Sequence, residues 1–217
     1  MHMRALTALA CLSAALQIVH SDARAQGRTT ETRIGFDLLT SSIKPVAAES
    51  AGVGSRAWGA QVTGSLIAFR VLSLNAEGGI IGVSDEASFT QETNMGERRS
   101  GVAAGMGTLS AGLRTPPVST GGPAPLFLSA GVNGGRSWLD MNRTISQCID
   151  CHGEDVAVRA GTFWEPLLEV GTGRGAFSAR YRMYGGSSDF RDALMIGYST
   201  VAGRRARNPS DKENAPK

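Results

Sequence analysis

Apolar and polar residues alternate along the stretch from Trp58 to Val83, with a short connection at Phe69–Val71. Successive side chains of a β-strand point to opposite faces, so a period of two predicts strands with one apolar and one polar face. The stretch is therefore predicted to form a long hairpin. One apolar series contains Trp58, Ala60, Val62, Gly64, Leu66 and Ala68, and the next contains Leu72, Leu74, Ala76, Gly78 and Ile80.

The same pattern recurs along most of the chain. The connections between segments are tight or broken by prolines at one end, and mostly longer and more polar at the other. An even number of antiparallel strands then places both termini at the end with the short turns. The eight alternating segments are residues 33–40, 58–68, 72–83, 101–113, 126–139, 161–170, 176–184 and 192–202.

The polar face of these segments consists mainly of Gly, Ser, Thr, Asn and Gln, with a few charges of both signs. A water-facing surface would favour lysine and glutamate, but the chain has three lysines and none lies between residues 45 and 211. We therefore predict an all-β fold, an eight-stranded antiparallel up-and-down transmembrane β-barrel with its apolar face toward lipid. The charges predicted to meet in its interior, the lumen, are Asp37, Glu77, Glu165, Glu169, Arg180 and Arg182.

The N-terminus has the features of a secretory signal peptide. Arg4 precedes a moderately apolar run, Ala5–Val19, and the A-x-A motif at Ala23–Ala25 predicts cleavage before Gln26. The predicted division is a signal peptide at 1–25, an N-terminal lead at 26–32, the barrel at 33–202 and a disordered basic tail at 203–217. No later apolar run is long enough for a membrane helix.

The signal peptide, the eight glycine-rich alternating strands and the asymmetry of turns and loops together resemble small bacterial outer-membrane barrels of the OmpA and OmpX kind. The resemblance implies a cell outer membrane location, lipid as a partner, a monomer, periplasmic termini and four outer loops. It also implies that the protein has a structural, anchoring or surface-interaction role, with an unknown surface ligand as a partner. Such chains commonly end on a strand with an aromatic residue, whereas here polar residues follow Tyr198 and Ala202.

Two other functions remain open at this stage. The first is a narrow porin-like channel for small solutes, in which the predicted lumen charges form a constriction or an opening salt-bridge gate rather than a static plug. The second is a soluble barrel that binds a hydrophobic ligand.

The basic charge of the chain gives little support for a nucleic-acid partner. The formal net charge is +3, and the tail after Ala202 carries five basic and two acidic residues. The tail alone therefore accounts for the excess, and the predicted barrel is close to neutral. We expect no nucleic acid among the partners.

The sharpest local motif is C-x-x-C-H at Cys148, Cys151 and His152. This spacing occurs where covalent c-type haem is attached, but here it falls in a polar loop, whereas haem needs an apolar pocket. In an oxidising compartment two cysteines so close in sequence favour a disulfide. A metal site that adds Glu154 or Asp155 is the third interpretation. We expect a Cys148–Cys151 disulfide, no cofactor and no metal.

Catalysis is not predicted. Some small barrels hydrolyse lipids with a serine and a histidine, and a nucleophile of that kind needs an adjacent base. Once the signal peptide is removed, His152 is the one histidine left to serve as that base. No serine partner for it can be identified in the sequence, so the chain is not predicted to be an enzyme.

Overall fold

The computed structural model describes residues 30–85, 100–119, 126–145, 154–172 and 174–202. The predicted signal peptide, the tail at 203–217, Cys148, Cys151 and His152 lie outside these residues. The described elements are β1 (Thr30–Ile43), α1 (Pro45–Ala51), β2 (Val53–Ala68), β3 (Leu72–Asp85), β4 (Ser100–Arg114), β5 (Val118–Ser119), β6 (Phe127–Ile145), β7 (Glu154–Asp155), β8 (Thr162–Gly171), β9 (Gly175–Tyr184) and β10 (Phe190–Val201).

Eight long strands of the described chain form one closed antiparallel sheet. Their order is β4-β3-β2-β1-β10-β9-β8-β6, and β6 also pairs with β4. The pairing of β4 with β6 closes the ring, and the pairing of β1 with β10 joins the first strand to the last. The predicted eight-stranded up-and-down barrel is confirmed, and so is the resemblance of its architecture to the small outer-membrane barrels. The two-residue strands β5 and β7 pair with β6 at its two ends.

The strands of the barrel are staggered. Following the residues that lie opposite each other in register once around the ring from Ser42 leads back to Thr32, ten residues away on β1. A stagger of ten over eight strands fits strands tilted by ~35–45° around a lumen narrow enough to be filled by side chains. The full path is Ser42, Asp192, Met183, Trp164, Gly134, Ala111, Leu74, Leu66 and Thr32.

The barrel has two unlike ends. The termini end carries the start of β1, the end of β10, the three-residue connection Phe69–Val71, the connection that includes β5 and the turn between β8 and β9. The loop end carries α1 and the longer connections. Some strands are longer than the alternation predicted, because partners continue to pair: β1 begins at Thr30 rather than residue 33, and β6 reaches Ile145, which pairs with Ser100.

The outer face of the barrel is apolar and exposed. Trp58 and Ile80 are each 71% exposed, and the predicted outward series of β2 and β3 lies on this face. No helix in the described residues is long and apolar enough to span a membrane. Other exposed apolar residues on the strands include Phe36, Leu38, Val62, Leu72, Leu74, Leu109, Leu113, Val132, Trp138, Trp164, Leu168, Phe177, Leu194 and Ile196.

Candidate functional site in the barrel lumen

Arg180 on β9 lies near the middle of the lumen and connects three strands. It donates hydrogen bonds to Asp37 from β1 over 2.7 Å, to Glu165 from β8 over 3.2 Å, and to Glu77 from β3. All four side chains are buried. A guanidinium offers five N–H donors in a planar fork, which suits several carboxylates at once.

Arg182 lies two residues further along β9 and therefore on the same face. It donates to Glu77 over 2.7 Å and to Glu165 over 2.8 Å. Its guanidinium also lies 4.0 Å from the ring centroid of Phe163. Because Glu77 and Glu165 contact both arginines, these side chains form one connected group, the mid-barrel layer, which consists of Asp37, Glu77, Glu165, Arg180 and Arg182.

Neutral side chains complete the hydrogen bonding of the carboxylates. Thr63 donates to Asp37 over 2.5 Å, Gln61 donates to Glu77 over 3.1 Å, and Asn133 donates to Glu165 over 3.3 Å. Buried ion pairs are tolerated only when such additional bonds offset the loss of hydration. The layer is therefore a connected network rather than a set of isolated pairs.

Two inward glycines leave space for these side chains. A Cβ on Gly197 would overlap Oδ1 of Asp37, and a Cβ on Gly112 would overlap Oδ1 of Asn133. Both overlaps also involve the backbone of the neighbouring strand, so a larger residue could not be accommodated by a side-chain shift alone. Part of the high glycine content thus makes room for the charged layer.

Glu169 does not join the mid-barrel layer, although it was predicted to pair with Arg180 and Arg182. It pairs instead with Arg33 over 3.0 Å and with Arg114. Glu169 lies opposite Ser178 in the register of β8 and β9, whereas Arg180 lies opposite Leu167, midway between Glu165 and Glu169, and its guanidinium contacts Glu165. Arg33, Arg114 and Glu169 form a second group nearer the termini, the termini-side layer. Arg33 also pairs with the more exposed Glu31 at the mouth.

A small cavity of about 40 Å³ lies between the two layers. Asp37 and Arg180 border it on one side, and Arg33, Arg114 and Glu169 on the other. Gly35, Leu167 and Tyr198 also line it, together with the short polar side chains Thr63, Ser65, Ser73, Asn75, Asn133, Ser178 and Ser199.

The loop end of the lumen is filled by apolar side chains, which corrects the prediction of a mainly polar interior. Leu39, Ile81, Met106 and Met195 point inward there and are buried. They belong to one cluster with residues of α1 and of the segment before β8. The remaining buried members are Ile43, Ala48, Val53, Ala57, Val83, Val102, Ala104, Met141, Val156, Val158 and Phe190.

Polar contacts hold the connections of the loop end over this cluster. Arg143 donates to the carbonyl oxygens of Ala51 and Gly52 at the C-terminus of α1, over 3.0 and 2.9 Å. Lys44 donates to carbonyl oxygens of Gly186 and Ser188 in the β9–β10 connection. The described segments of these connections, which were predicted to be mostly longer and more polar, therefore lie over the apolar cluster.

All six predicted lumen residues are buried inside the barrel, five in the mid-barrel layer and Glu169 in the termini-side layer. Sequence reasoning missed Arg33 and Arg114, although Arg33 is in phase with Asp37 and Arg114 with Thr108. It also missed the apolar cluster. The sequence contained a signal for the apolar cluster: the doublets Leu38-Leu39 and Ile80-Ile81 each place one apolar residue on the outer face and one on the inner face.

The proposed disulfide, haem and metal interpretations concern Cys148, Cys151 and His152, which lie outside the described residues. Within the described ranges, no group of three or more His, Cys, Asp or Glu side chains could hold a metal ion. The arrangement in the described lumen is one of ion pairs and hydrogen bonds.

No protein-family model and no curated protein matches the sequence. Similar solved structures include Neisserial surface protein A (NspA), with 10% identity and a TM-score of 0.43, over 81% of this chain and 99% of that chain. Ail, the attachment invasion locus protein of Yersinia pestis, in complex with the heparin analogue sucrose octasulfate, has 10% identity and a TM-score of 0.42, over 79% and 96%. At this similarity the likeness carries no argument about function, and the fold stands on the strand pairing described above.

Proposed function

We propose that this chain is an integral protein of a bacterial outer membrane, anchored by its barrel. The observation that carries the proposal is the inverted distribution of side chains. Arg182 and Glu165 have no exposed surface, whereas Trp58 and Ile80 are 71% exposed. A soluble barrel requires the opposite distribution, with the apolar face inside and the polar face in water.

The backbone supports the same proposal. In hydrocarbon each N–H and C=O group needs a partner within the protein, so a sheet can cross a membrane only if it closes on itself. The pairing of β4 with β6 and of β1 with β10 provides that closure. The signal peptide predicted at residues 1–25 would deliver the chain to the periplasm, from which outer-membrane barrels are assembled.

The role we propose is structural, with surface contacts made through the loop end. The mid-barrel layer and the apolar cluster fill successive parts of the lumen, which opposes the alternative of a narrow channel. No catalytic role is proposed. The termini, the tail and the turns of the termini end would then face the periplasm.

Leu74→Arg tests the placement in lipid. Leu74 lies on the outer face between Leu66 and Ala111, and it is more than half exposed. If it faces the middle of the bilayer, the variant should lose ~2–4 kcal/mol of unfolding free energy in lipid vesicles. Ser55→Arg, at an exposed position near the loop end, is the matched control. If Leu74→Arg stayed within about 0.5 kcal/mol of wild type, as for a water-facing residue, the proposal would be wrong.

Gel electrophoresis of the unheated and boiled protein gives a second test. A closed barrel extracted in detergent should resist SDS without heating and migrate differently after boiling. A protein that dissolves as a compact monomer without detergent would contradict the membrane proposal, whatever its behaviour on the gel.

A further inference from the structure

Two arginines of the termini-side layer share one carboxylate oxygen. Nη1 of Arg33 lies 3.0 Å from Oε2 of Glu169, and Nη2 of Arg114 contacts the same oxygen. Arg114 also uses Nη2 to reach the hydroxyl of Ser129, over 3.5 Å. Each guanidinium has five N–H groups, so this pairing uses only part of the donor capacity of the two side chains.

The charges around this pair are unequal. Two guanidiniums face one buried carboxylate, and Glu31, which pairs with Nε of Arg33, has a side chain that is 41% exposed at the mouth. Solvent screens an exposed charge far more than a buried one. The buried part of the termini-side layer therefore carries an excess of positive charge.

The cavity beside these arginines has a size and a lining that suit a small polar ligand. Its volume of about 40 Å³ corresponds to roughly three water molecules, since one requires ~10–15 Å³. Ser65, Ser178 and Ser199 line it together with Leu167 and Tyr198, and the apolar cluster lies beyond the mid-barrel layer at the opposite end of the lumen.

We infer that this cavity is a binding site for a small monovalent anion, such as chloride or formate, which enters from the termini end. The two guanidiniums supply charge and N–H donors, and the serine hydroxyls supply further donors. Arginine recognises carboxylates through paired N–H groups, and the small volume favours a small anion over a large organic one. Asp37 and Glu169 also border the cavity. Their negative charges limit the positive potential and therefore favour a monovalent anion over a divalent one.

Chloride NMR tests this site directly. The linewidth of ³⁵Cl in sodium chloride should exceed the detergent blank when the folded protein is added, because bound chloride relaxes quickly and exchanges with the bulk. Sodium formate should remove the excess linewidth, and sodium gluconate at equal ionic strength should leave it unchanged. An absence of excess linewidth, or equal displacement by gluconate, would overturn the inference.

Two variants locate the binding. Arg114→Gln should abolish the excess linewidth, whereas Arg56→Gln, at an exposed arginine on β2, should preserve it. Ser178→Leu keeps both arginines but fills part of the cavity, so it should also abolish the excess linewidth. If Arg114→Gln does not fold, Ser178→Leu still tests whether chloride binds in this cavity. Retention of the excess linewidth in a folded Ser178→Leu protein would show that chloride binds elsewhere and that the inference is wrong.

Discussion

Arg180 shows how one residue can connect distant parts of the sheet. Its partners Asp37, Glu77 and Glu165 come from β1, β3 and β8, of which only β8 is hydrogen-bonded to β9. The contacts therefore cross the lumen and add ties that the strand ladders do not provide. Removal of the guanidinium would leave three buried carboxylates with one arginine, and an uncompensated buried charge is costly.

Arg180→Ala should lower the unfolding free energy by ~3–5 kcal/mol, the cost of breaking a buried ion pair from one side. Arg56→Ala is the matched control, because Arg56 is exposed on β2. The measurement is denaturant unfolding of both variants in the same detergent. Equal unfolding midpoints for the two variants would contradict the structural importance of the mid-barrel layer.

The sequence predicted the face of the strand on which each side chain lies, whereas it did not predict which side chains pair inside the lumen. Alternation placed Glu165 and Glu169 on the inner face, but it could not show that Arg33 of β1 and Arg114 of β4 are the partners of Glu169. The apolar cluster was hidden for a different reason. Leu39 and Ile81 occupy inward positions next to apolar outward neighbours, so they interrupt the alternation instead of extending it.

At the scale of elements, the hairpin of β2 and β3 contains an unusual turn. Phe69 and Arg70 have φ values of 52° and 61°, and the amide of Val71 donates to the carbonyl of Ala68. Hairpin turns in which both central residues have positive φ values strongly favour Asn-Gly or Asp-Gly there. This turn therefore adopts a favourable hairpin geometry with two residues that disfavour it.

Arg70→Gly should stabilise the protein, because glycine adopts positive φ without the steric cost that other residues pay, ~1–2 kcal/mol. We expect a gain of about 1 kcal/mol, since glycine also adds freedom to the unfolded chain. Thermal or denaturant unfolding would measure it, with Arg174→Gly in another turn of the termini end as a comparison. A loss of stability in Arg70→Gly would show that the arginine side chain makes a contribution greater than the strain.

At the scale of the whole molecule, the lumen is unequal at its two ends. The cavity between the charged layers lies on the termini side of Arg180, and the apolar cluster covers the loop side. Water and small solutes should therefore reach the mid-barrel layer from one end only.

Ser199→Cys tests this asymmetry, because Ser199 lines the cavity. In a background with Cys148 and Cys151 replaced by serine, a small charged thiol reagent should modify the new cysteine when added at the termini side of proteoliposomes and not at the loop side. Ala57→Cys, buried in the apolar cluster, is the control and should remain unmodified from both sides. Equal modification of Ser199→Cys from both sides would indicate a continuous pore.

The neighbouring positions of β1 and β10 have a consequence for how the molecule is made. These strands are far apart in sequence, yet they share a ladder that runs from Arg33 with Val201 to Ile43 with Phe190. While β10 is missing, β1 and β9 both present open edges, and lipid offers no hydrogen bonds to satisfy them. The final strand must therefore be synthesised before the barrel can close. A truncated chain that ends before Phe190 would lack the strand that pairs with β1 and could not form the closed eight-stranded barrel.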